Sequence, residues 1–147
     1  MQYSEVKGDL FTADKSYVLA HCISSDFALG AGIAKTFRDK CNTKYDLISN
    51  YQCFWDGIGY CLFTQQTKEE WVVANLVTKF KYYNKPTYDS VKNALVDMKR
   101  QCLERGLCHI AMPQIACGLD GLSWSQIRRT IKDVFEVSNF EIVVYIR

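Results

Sequence analysis

Two loops in the sequence contain glycines at positions suited to binding an anion. The first, residues 24–34, carries Gly30 and Gly32 and runs into a stretch with helical spacing. Backbone N–H groups at a helix N-terminus attract anions, and glycine lets the backbone approach a ligand closely. Lys35 stands where the dinucleotide-binding fingerprint has its third glycine, and no Gly-Lys-Ser/Thr phosphate-loop signature follows. The loop is therefore either an anion site of another kind or a tight turn without a ligand.

The second loop, residues 112–121, also follows an apolar segment and contains Gly118 and Gly121. Successive backbone N–H groups in such turns form concave anion sites. Two loops of this kind at the same edge of a sheet predict a diphosphate held between them. Two ordinary strand-to-helix turns are the alternative interpretation.

The elements that position these loops follow from the apolar patterns along the chain. Strands are predicted at residues 1–6, 17–23, 57–64, 71–78, 109–115 and 141–146, and helices at residues 31–40, 45–54, 87–105 and 125–137. The segments 17–23 and 71–78 are apolar nearly throughout, which is typical of strands buried on both faces. Alternating strands and helices predict an α/β sandwich with a largely parallel central sheet. In such folds ligands bind at the carboxyl ends of the strands, where both glycine loops lie.

Length and composition limit the classes of protein to consider. The chain has 147 residues, which fits a single domain, and 48% of them are apolar, which excludes a disordered protein. Its 18 Lys and Arg against 16 Asp and Glu give a net charge of +2, so bulk charge does not hold it to nucleic acid. A local basic rim is still compatible with this balance.

Cysteine usage points away from disulfide and metal chemistry. The chain has seven cysteines, an odd number, without a Cys-x-x-Cys pair and with only two histidines, His21 and His109. This pattern disfavours a disulfide framework and a zinc site. No signal peptide opens the chain, and no apolar run approaches the ~20 residues that span a bilayer. We therefore expect free thiols, a cytoplasmic location and no membrane contact.

Short blocks of sequence occur in an order that is more specific than any one of them. The blocks are Lys-Gly-Asp-Leu-Phe at 7–11, Ala-His-Cys-Ile-Ser at 20–24, Gly-Ala-Gly-Ile-Ala at 30–34, Thr-Lys at 78–79, Lys-Pro-Thr-Tyr at 85–88, Met-Pro at 112–113, Cys-Gly-Leu-Asp at 117–120 and Trp124. In these blocks, which span nearly the whole chain, the sequence resembles the macrodomain family. Within that family it is most similar to the terminal ADP-ribose protein glycohydrolase branch, the deacylases of O-acetyl-ADP-ribose.

The resemblance implies a fold and a ligand. A macrodomain is a three-layer α/β/α domain with a mixed, largely parallel central sheet, and residues 1–147 would form one such domain with ADP-ribose in a cleft on top of the sheet. Asp9 matches the aspartate that accepts a hydrogen bond from the adenine amino group, and Leu10 would make a backbone contact nearby. The remaining implied ADP-ribose-binding residues are Ser24, Gly30, Ala31, Gly32 and Ile33 on one side of the ligand and Pro113, Ile115, Ala116, Cys117, Gly118 and Leu119 on the other.

The resemblance also implies a pair of catalytic residues. Lys79 matches the lysine of this branch, which attacks the anomeric carbon of the distal ribose after the ring opens and forms a covalent lysyl-ADP-ribose intermediate. Asp120 matches the aspartate that acts as acid and base. A lysine becomes a good nucleophile through desolvation or a cationic neighbour, and the apolar run before Lys79 and the nearby Lys81 offer both. Neither a metal nor a cofactor is implied.

The function expected from these residues is hydrolysis of ADP-ribosyl esters. The substrates would be mono-ADP-ribose ester-linked to Glu or Asp side chains of proteins, and O-acetyl-ADP-ribose. Three alternatives stay open: a non-catalytic ADP-ribose reader, a phosphatase acting on ADP-ribose 1''-phosphate, and a hydrolase acting on ADP-ribosylated DNA. ADP-ribosylated nucleic acid ends are thus a further candidate partner. We expect a monomer, with access to the nucleus if the cell is eukaryotic.

Two other features are open to more than one interpretation. His21, in a predicted buried strand, is better explained as a core histidine than as a catalytic residue. Phe80, Tyr82 and Tyr83 depart from the family pattern and, with neighbouring lysines, could stack a nucleic acid base or pack against the next helix. The segment 41–70 matches no family block, and no function is assigned to it.

Overall fold

A six-stranded sheet forms the middle layer of the protein in the computed structural model, which describes residues 1–51 and 57–147. The strands are β1 (Gln2–Lys7), β2 (Val18–Ser24), β3 (Tyr60–Gln65), β4 (Val72–Lys79), β5 (His109–Pro113) and β6 (Glu141–Ile146). Their order across the sheet is β1-β6-β5-β2-β4-β3. Of these strands only β3 is antiparallel to its neighbour. The mixed, largely parallel sheet expected from the sequence is confirmed.

Helices cover both faces of this sheet. They are α1 (Gly32–Cys41), α2 (Thr43–Tyr51), α3 (Tyr88–Arg105) and α4 (Trp124–Phe135), with short 3-10 turns at Leu10–Thr12 and Gly118–Asp120. On one face, Leu95 of α3 and Ile131 of α4 belong to the same buried cluster as Ala20 of β2. On the other, Phe37 of α1 packs with Leu19, the neighbour of Ala20 along β2. Because successive strand residues point to opposite faces, this three-layer α/β/α packing explains why β2 is apolar nearly throughout.

The longest helix begins and ends as its sequence indicates. Thr87 is the N-cap of α3 and forms a capping box with Ser90, which satisfies two backbone N–H groups. Gly106 ends the helix with φ at +69°, a left-handed conformation that glycine adopts without strain. Among the described residues no helix is both long and apolar enough to cross a membrane.

Several predicted boundaries differ from the structure for identifiable reasons. The strand predicted at 109–115 ends at Pro113, because Ile115 is buried within the following loop rather than within the sheet. The helix predicted at 125–137 begins one residue earlier, after Ser123 as N-cap, and ends at Phe135, its last buried residue. The helix predicted at 45–54 begins at Thr43, and its residues 52–54 lie outside the described part of the chain.

The sheet topology brings the carboxyl ends of three strands together, and a loop starts at each of them. Strands β5, β2 and β4 are neighbours and run parallel, so their carboxyl ends meet at one edge of the sheet. These ends are Pro113, Ser24 and Lys79. The two glycine loops leave from β2 and β5, and Lys79 stands at the end of the strand beside them.

Candidate active site

A cavity of about 670 Å³ opens at the carboxyl ends of β5, β2 and β4. This volume lies within the usual range of small-molecule sites. Twelve of the residues implied by the family resemblance line it: Ser24, Gly30, Ala31, Gly32, Ile33, Lys79, Pro113, Ile115, Ala116, Cys117, Leu119 and Asp120. Both glycine loops therefore face the same space, together with the lysine and the aspartate.

Three of the implied residues do not line this cavity: Asp9, Leu10 and Gly118. Asp9 caps the first 3-10 turn by accepting a hydrogen bond from the Phe11 amide at 2.9 Å, and its other oxygen lies 3.3 Å from Arg147. Leu10 is buried in the core, and Gly118 opens the second 3-10 turn. The adenine contacts implied for Asp9 and Leu10 are outside the cavity as the structure defines it and stay predictions.

The first glycine loop ends at an uncapped helix. Ala31 is the N-cap of α1 and offers no side-chain acceptor, so the first N–H groups of the helix are available to an anion. Gly32 follows with φ at +59°. Phe27 and Leu29 also adopt left-handed backbone angles, which costs non-glycine residues energy and is typical of functional loops. Both side chains are buried, and this packing holds the loop in shape.

The second glycine loop turns Asp120 toward the cavity. Ala116 and Gly118 have positive φ values of 60° and 66°, and the 3-10 turn Gly118–Asp120 closes with a hydrogen bond from the Gly121 amide to the Gly118 carbonyl. A second bond, from the Leu122 amide to the Ala116 carbonyl at 3.1 Å, ties the base of the loop. These bonds place Asp120 within reach of β4.

Lys79 and Asp120 form an ion pair inside the cavity. Lys79 Nζ donates to Asp120 Oδ1 over 2.9 Å, and the two side chains are only 16% and 17% exposed. A hydrogen bond of this length allows a proton to pass between amine and carboxylate. The pair therefore places an amine and a carboxylate within proton-transfer distance in the cavity that both glycine loops line.

The loop that follows β2 is hydrogen-bonded to the chain just after Lys79. The Ser25 amide donates to the Lys79 carbonyl at 2.9 Å, and the Ser25 hydroxyl donates to the Phe80 carbonyl at 2.8 Å. Asp26 accepts from the Ser24 hydroxyl at 2.5 Å and from the Tyr82 amide at 3.0 Å. These bonds join the first glycine loop to the segment that carries the lysine.

The charge of Asp26 is stabilised by the same contacts. Partial burial favours its neutral form, but the hydrogen bonds from Ser24 and from the amides of Tyr82 and Ala28 outweigh it and hold the pKa below its ordinary value. Asp26 was not singled out in the sequence. Its only local signal is its place in a Ser-Ser-Asp turn after a buried strand.

His21 belongs to the core rather than to the site. It is fully buried, its Nε2 lies 2.6 Å from Asn75 Oδ1, and its ring stacks on Phe37 with centroids 3.8 Å apart. Burial lowers its pKa to about 4, so it is neutral at physiological pH. It cannot serve as an acid near neutrality.

The thiols at the cavity wall are not activated. Burial raises the pKa of Cys22 to about 12, with Asp120 adding to the effect. Burial and then the Asp120 carboxylate also raise the pKa of Cys117. Each cysteine in the described part of the chain is a free thiol, and Cys53 lies outside it. Within the same described ranges no group of His, Cys, Asp and Glu could hold a metal ion.

The cavity is also lined by residues that were not among the predicted ligand-binding residues. Tyr82, Lys85 and Gln114 contribute polar side chains to it, and Ala28 and Leu29 contribute apolar surface. Tyr82 is largely exposed, so the interpretation that it packs against the next helix is wrong. The Lys-Pro-Thr-Tyr block already marked the neighbourhood of Lys85, but nothing local indicated the direction of either side chain.

Comparison with known proteins identifies relatives along most of the chain. No family model matches. Human ADP-ribose glycohydrolase OARD1 is 36% identical over 140 residues, which is 95% of this chain and 88% of that protein. The macrodomain of Mycobacterium tuberculosis DarG superposes with a TM-score of 0.83 at 19% identity, covering 98% of this chain and 97% of that one. Thermosipho africanus DarTG, solved in complex with ADP-ribose, has a TM-score of 0.81 at 16% identity and covers 99% of this chain and 42% of that one.

Proposed function

The chain belongs to the macrodomain family, in the branch of the ADP-ribose glycohydrolase OARD1, and is an ADP-ribosyl hydrolase; we propose that it cleaves mono-ADP-ribose from Glu and Asp side chains and deacylates O-acetyl-ADP-ribose. Both reactions release a carboxylic acid from the distal ribose. The Glu and Asp esters join the anomeric carbon itself, and the acetyl ester stands on another hydroxyl of the same ribose, so both scissile bonds would lie at the distal-ribose end of the cavity.

The observation that carries the proposal is the ion pair between Lys79 and Asp120. Its two side chains lie five-sixths buried in the cavity, 2.9 Å apart. A lysine that is merely solvated at the end of a strand would be exposed and would not need a carboxylate partner from another loop. The pair stands beside the two glycine loops, which can hold the diphosphate with backbone dipoles rather than with several cations.

The first half of the reaction forms a bond between Lys79 and the ribose. Asp120 takes a proton from the Lys79 ammonium and delivers it to the ring oxygen as the ribose ring opens. The neutral amine adds to the anomeric carbon. Asp120, now a carboxylate, accepts a second proton from the nitrogen, whose electron pair forms the double bond to the anomeric carbon as the bond from this carbon to the ester oxygen breaks. The carboxylate leaves with the bonding electrons and takes that proton from Asp120, so that a carboxylic acid is released. The product is an iminium that links Lys79 to ADP-ribose.

The second half of the reaction restores the enzyme. Asp120, again a carboxylate, accepts a proton from water as the water oxygen adds to the anomeric carbon. Asp120 passes this proton to Lys79 Nζ, and the bond between the anomeric carbon and Nζ breaks with its electrons left on the nitrogen. The new hydroxyl gives its proton to Asp120 and becomes the aldehyde of ADP-ribose, which recloses through the ring hydroxyl, and the proton on Asp120 returns to the Lys79 amine. The protein contributes a nucleophile, a proton carrier and the exclusion of bulk water.

The test is release of ADP-ribose from a glutamate-linked, auto-modified substrate. Wild type is compared with Lys79→Ala and with Lys92→Ala, which removes an exposed lysine of α3 that does not line the cavity. We expect release by wild type and Lys92→Ala and none by Lys79→Ala. No release by wild type, or equal release by all three, would contradict the proposal. Binding of ADP-ribose in calorimetry without turnover of any ester would instead identify a reader.

A further inference from the structure

The segment after Lys79 presents two exposed aromatic rings at the mouth of the cavity. Tyr82 is 66% exposed and Tyr83 is 68% exposed. Their rings meet edge to face, with centroids 5.3 Å apart and an angle of 89° between the planes. Adjacent large aromatic residues left in solvent are enriched at binding surfaces.

The backbone that carries these rings is held by hydrogen bonds at several points. The Lys81 amide donates to Asn84 Oδ1, and the Asn84 amide donates to the Lys81 carbonyl, each over 2.9 Å. Asp26 accepts from the Tyr82 amide, and Ser25 donates to the Phe80 carbonyl. The exposed rings therefore stand on an ordered turn, and order before binding lowers the entropy lost when a ligand docks.

Only one of the two rings faces the cavity. Tyr82 lines it together with Lys79, Asp120 and Lys85, whereas Tyr83 does not. The glycine loops form the walls suited to the diphosphate. Tyr82 stands on the segment next to Lys79 and lines the same cavity. Because the proposed mechanism puts the anomeric carbon at Lys79, the group esterified to this carbon would leave near Tyr82.

The charges at this rim favour an acidic ligand. Lys79 is paired with Asp120, and the charge of Lys81 acts on Asp26. Lys85 donates a hydrogen bond to the Leu119 carbonyl. Among residues 1–51 and 57–147, no carboxylate lies within ion-pair distance of Lys85. A lysine ammonium has three donors, so Lys85 retains donors and a charge for a ligand.

A peptide fits this rim better than a nucleic acid strand does. A strand of nucleic acid gains affinity from several phosphate contacts, each made by a cation. Among the described residues that line the cavity, Lys85 is the cation without a carboxylate partner and Tyr82 is the one aromatic ring, and they match a carboxylate side chain and its neighbouring peptide.

Resting on the proposed function, we propose that Tyr82 and Lys85 form a subsite for the peptide that flanks the modified side chain, and that this subsite favours acidic segments. Tyr82 packs on the peptide next to the ester, and Lys85 pairs with a neighbouring carboxylate. Tyr82 is thus a specificity-determining residue, which selects the substrate without taking part in bond cleavage.

Two substrates with the same ADP-ribose and different acyl groups test the subsite. One is an acidic peptide carrying ADP-ribose on a glutamate; the other is O-acetyl-ADP-ribose, whose acetyl group is too small to extend along the rim. The measured quantity is the kcat/KM for the peptide divided by the kcat/KM for O-acetyl-ADP-ribose. We expect Tyr82→Ala to lower this ratio about tenfold, mainly through KM for the peptide, as loss of an aromatic anchor does at other interfaces. Tyr83→Ala is the matched control and should keep the wild-type ratio.

A second arm tests the charge. Lys85→Gln should abolish the preference for an acidic over a neutral flanking peptide. An unchanged ratio in Tyr82→Ala, or an equal fall in Tyr83→Ala, would overturn the inference while leaving the proposed function intact. A single-stranded oligonucleotide is added as a competitor of the peptide substrate. If it inhibits wild type but not Tyr82→Ala, the subsite binds nucleic acid rather than peptide, and the inference is overturned as well. No turnover of either substrate by wild type would overturn the proposed function and this inference together.

Discussion

Lys79 Nζ lies 2.9 Å from Asp120 Oδ1, although the two residues are 41 positions apart in the chain. Lys79 ends a central strand, and Asp120 ends the 3-10 turn within the second glycine loop, which leaves β5. Neither element could hold both groups alone. The parallel order of β5, β2 and β4 is what brings the lysine and the aspartate to the same cavity.

Replacing Asp120 by Asn should reduce turnover of glutamate-linked ADP-ribose by about 10²–10⁴-fold, which is the usual contribution of a general acid or base. Asn keeps an oxygen that can accept from Lys79 but cannot carry the proton. ADP-ribose affinity in calorimetry should change little. Asp133→Asn, on the exposed side of α4, is the control and should behave as wild type. Turnover by Asp120→Asn within tenfold of wild type would contradict the assigned role.

Replacing Gly32 by Ala should weaken ADP-ribose binding. Its φ of +59° makes any side chain strained, and a Cβ there would lie 3.8 Å from Leu119, between the two glycine loops. Gly106→Ala is the control, since its φ is +69° and nothing lies near its Cβ. Both changes should destabilise the fold by about 1 kcal/mol in urea unfolding. Only Gly32→Ala should lose affinity; equal affinities for the two variants would argue against a ligand between the loops.

Removing the Asp26 carboxylate should loosen the junction between the first glycine loop and the segment after Lys79. Asp26→Ala deletes the acceptor for Ser24, Ala28 and Tyr82. Because Asp26 is exposed, we expect a loss of about 1–2 kcal/mol in the free energy of unfolding. Asp39→Ala, which removes only a surface pair with Arg38, should cost much less. Equal losses for the two variants would show that the junction does not depend on Asp26.

Stability should fall between pH 7 and pH 5 because of His21. Burial lowers its pKa to about 4 in the folded state from an ordinary value of 6.5. Between these values the unfolded chain binds more protons, so acidification favours unfolding. The expected loss for this group is about 2 kcal/mol at pH 5 relative to pH 7. Urea unfolding at both pH values measures it, and His21→Gln should reduce the difference; an undiminished difference in that variant would assign it to other groups.

Much of the fold could be predicted from local patterns. The nearly unbroken apolar runs of β2 and β4 indicated strands covered on both faces, and the helix predicted at 87–105 matches α3 except for its first residue, the N-cap Thr87. The predicted ends of elements were wrong where a buried apolar residue lies outside a strand or helix. Ile115 is buried in a loop, and its apolar character extended the predicted strand past Pro113.

The candidate site was predictable only in part. The glycine loops indicated an anion site, but the pairing of Lys79 with Asp120 came from family resemblance, since no local pattern links residues so far apart. The roles of Asp26 and Tyr82 depend on hydrogen bonds between two loops from different strands. Such bonds leave no periodic signal in the sequence. For this reason the rim of the cavity became visible only in the folded structure.

The most direct measurement is mass spectrometry of the denatured protein after incubation with ADP-ribose and reduction with borohydride. A lysine nucleophile predicts an added mass of one ADP-ribose, less the water lost and plus the hydrogens gained on reduction, on the peptide that contains Lys79. The adduct should be absent from Lys79→Ala and present in Lys92→Ala, whose substitution lies on the exposed side of α3. An enzyme that cleaves the glutamate ester yet shows no adduct, or shows it on another lysine, would contradict the assignment of Lys79 as the nucleophile.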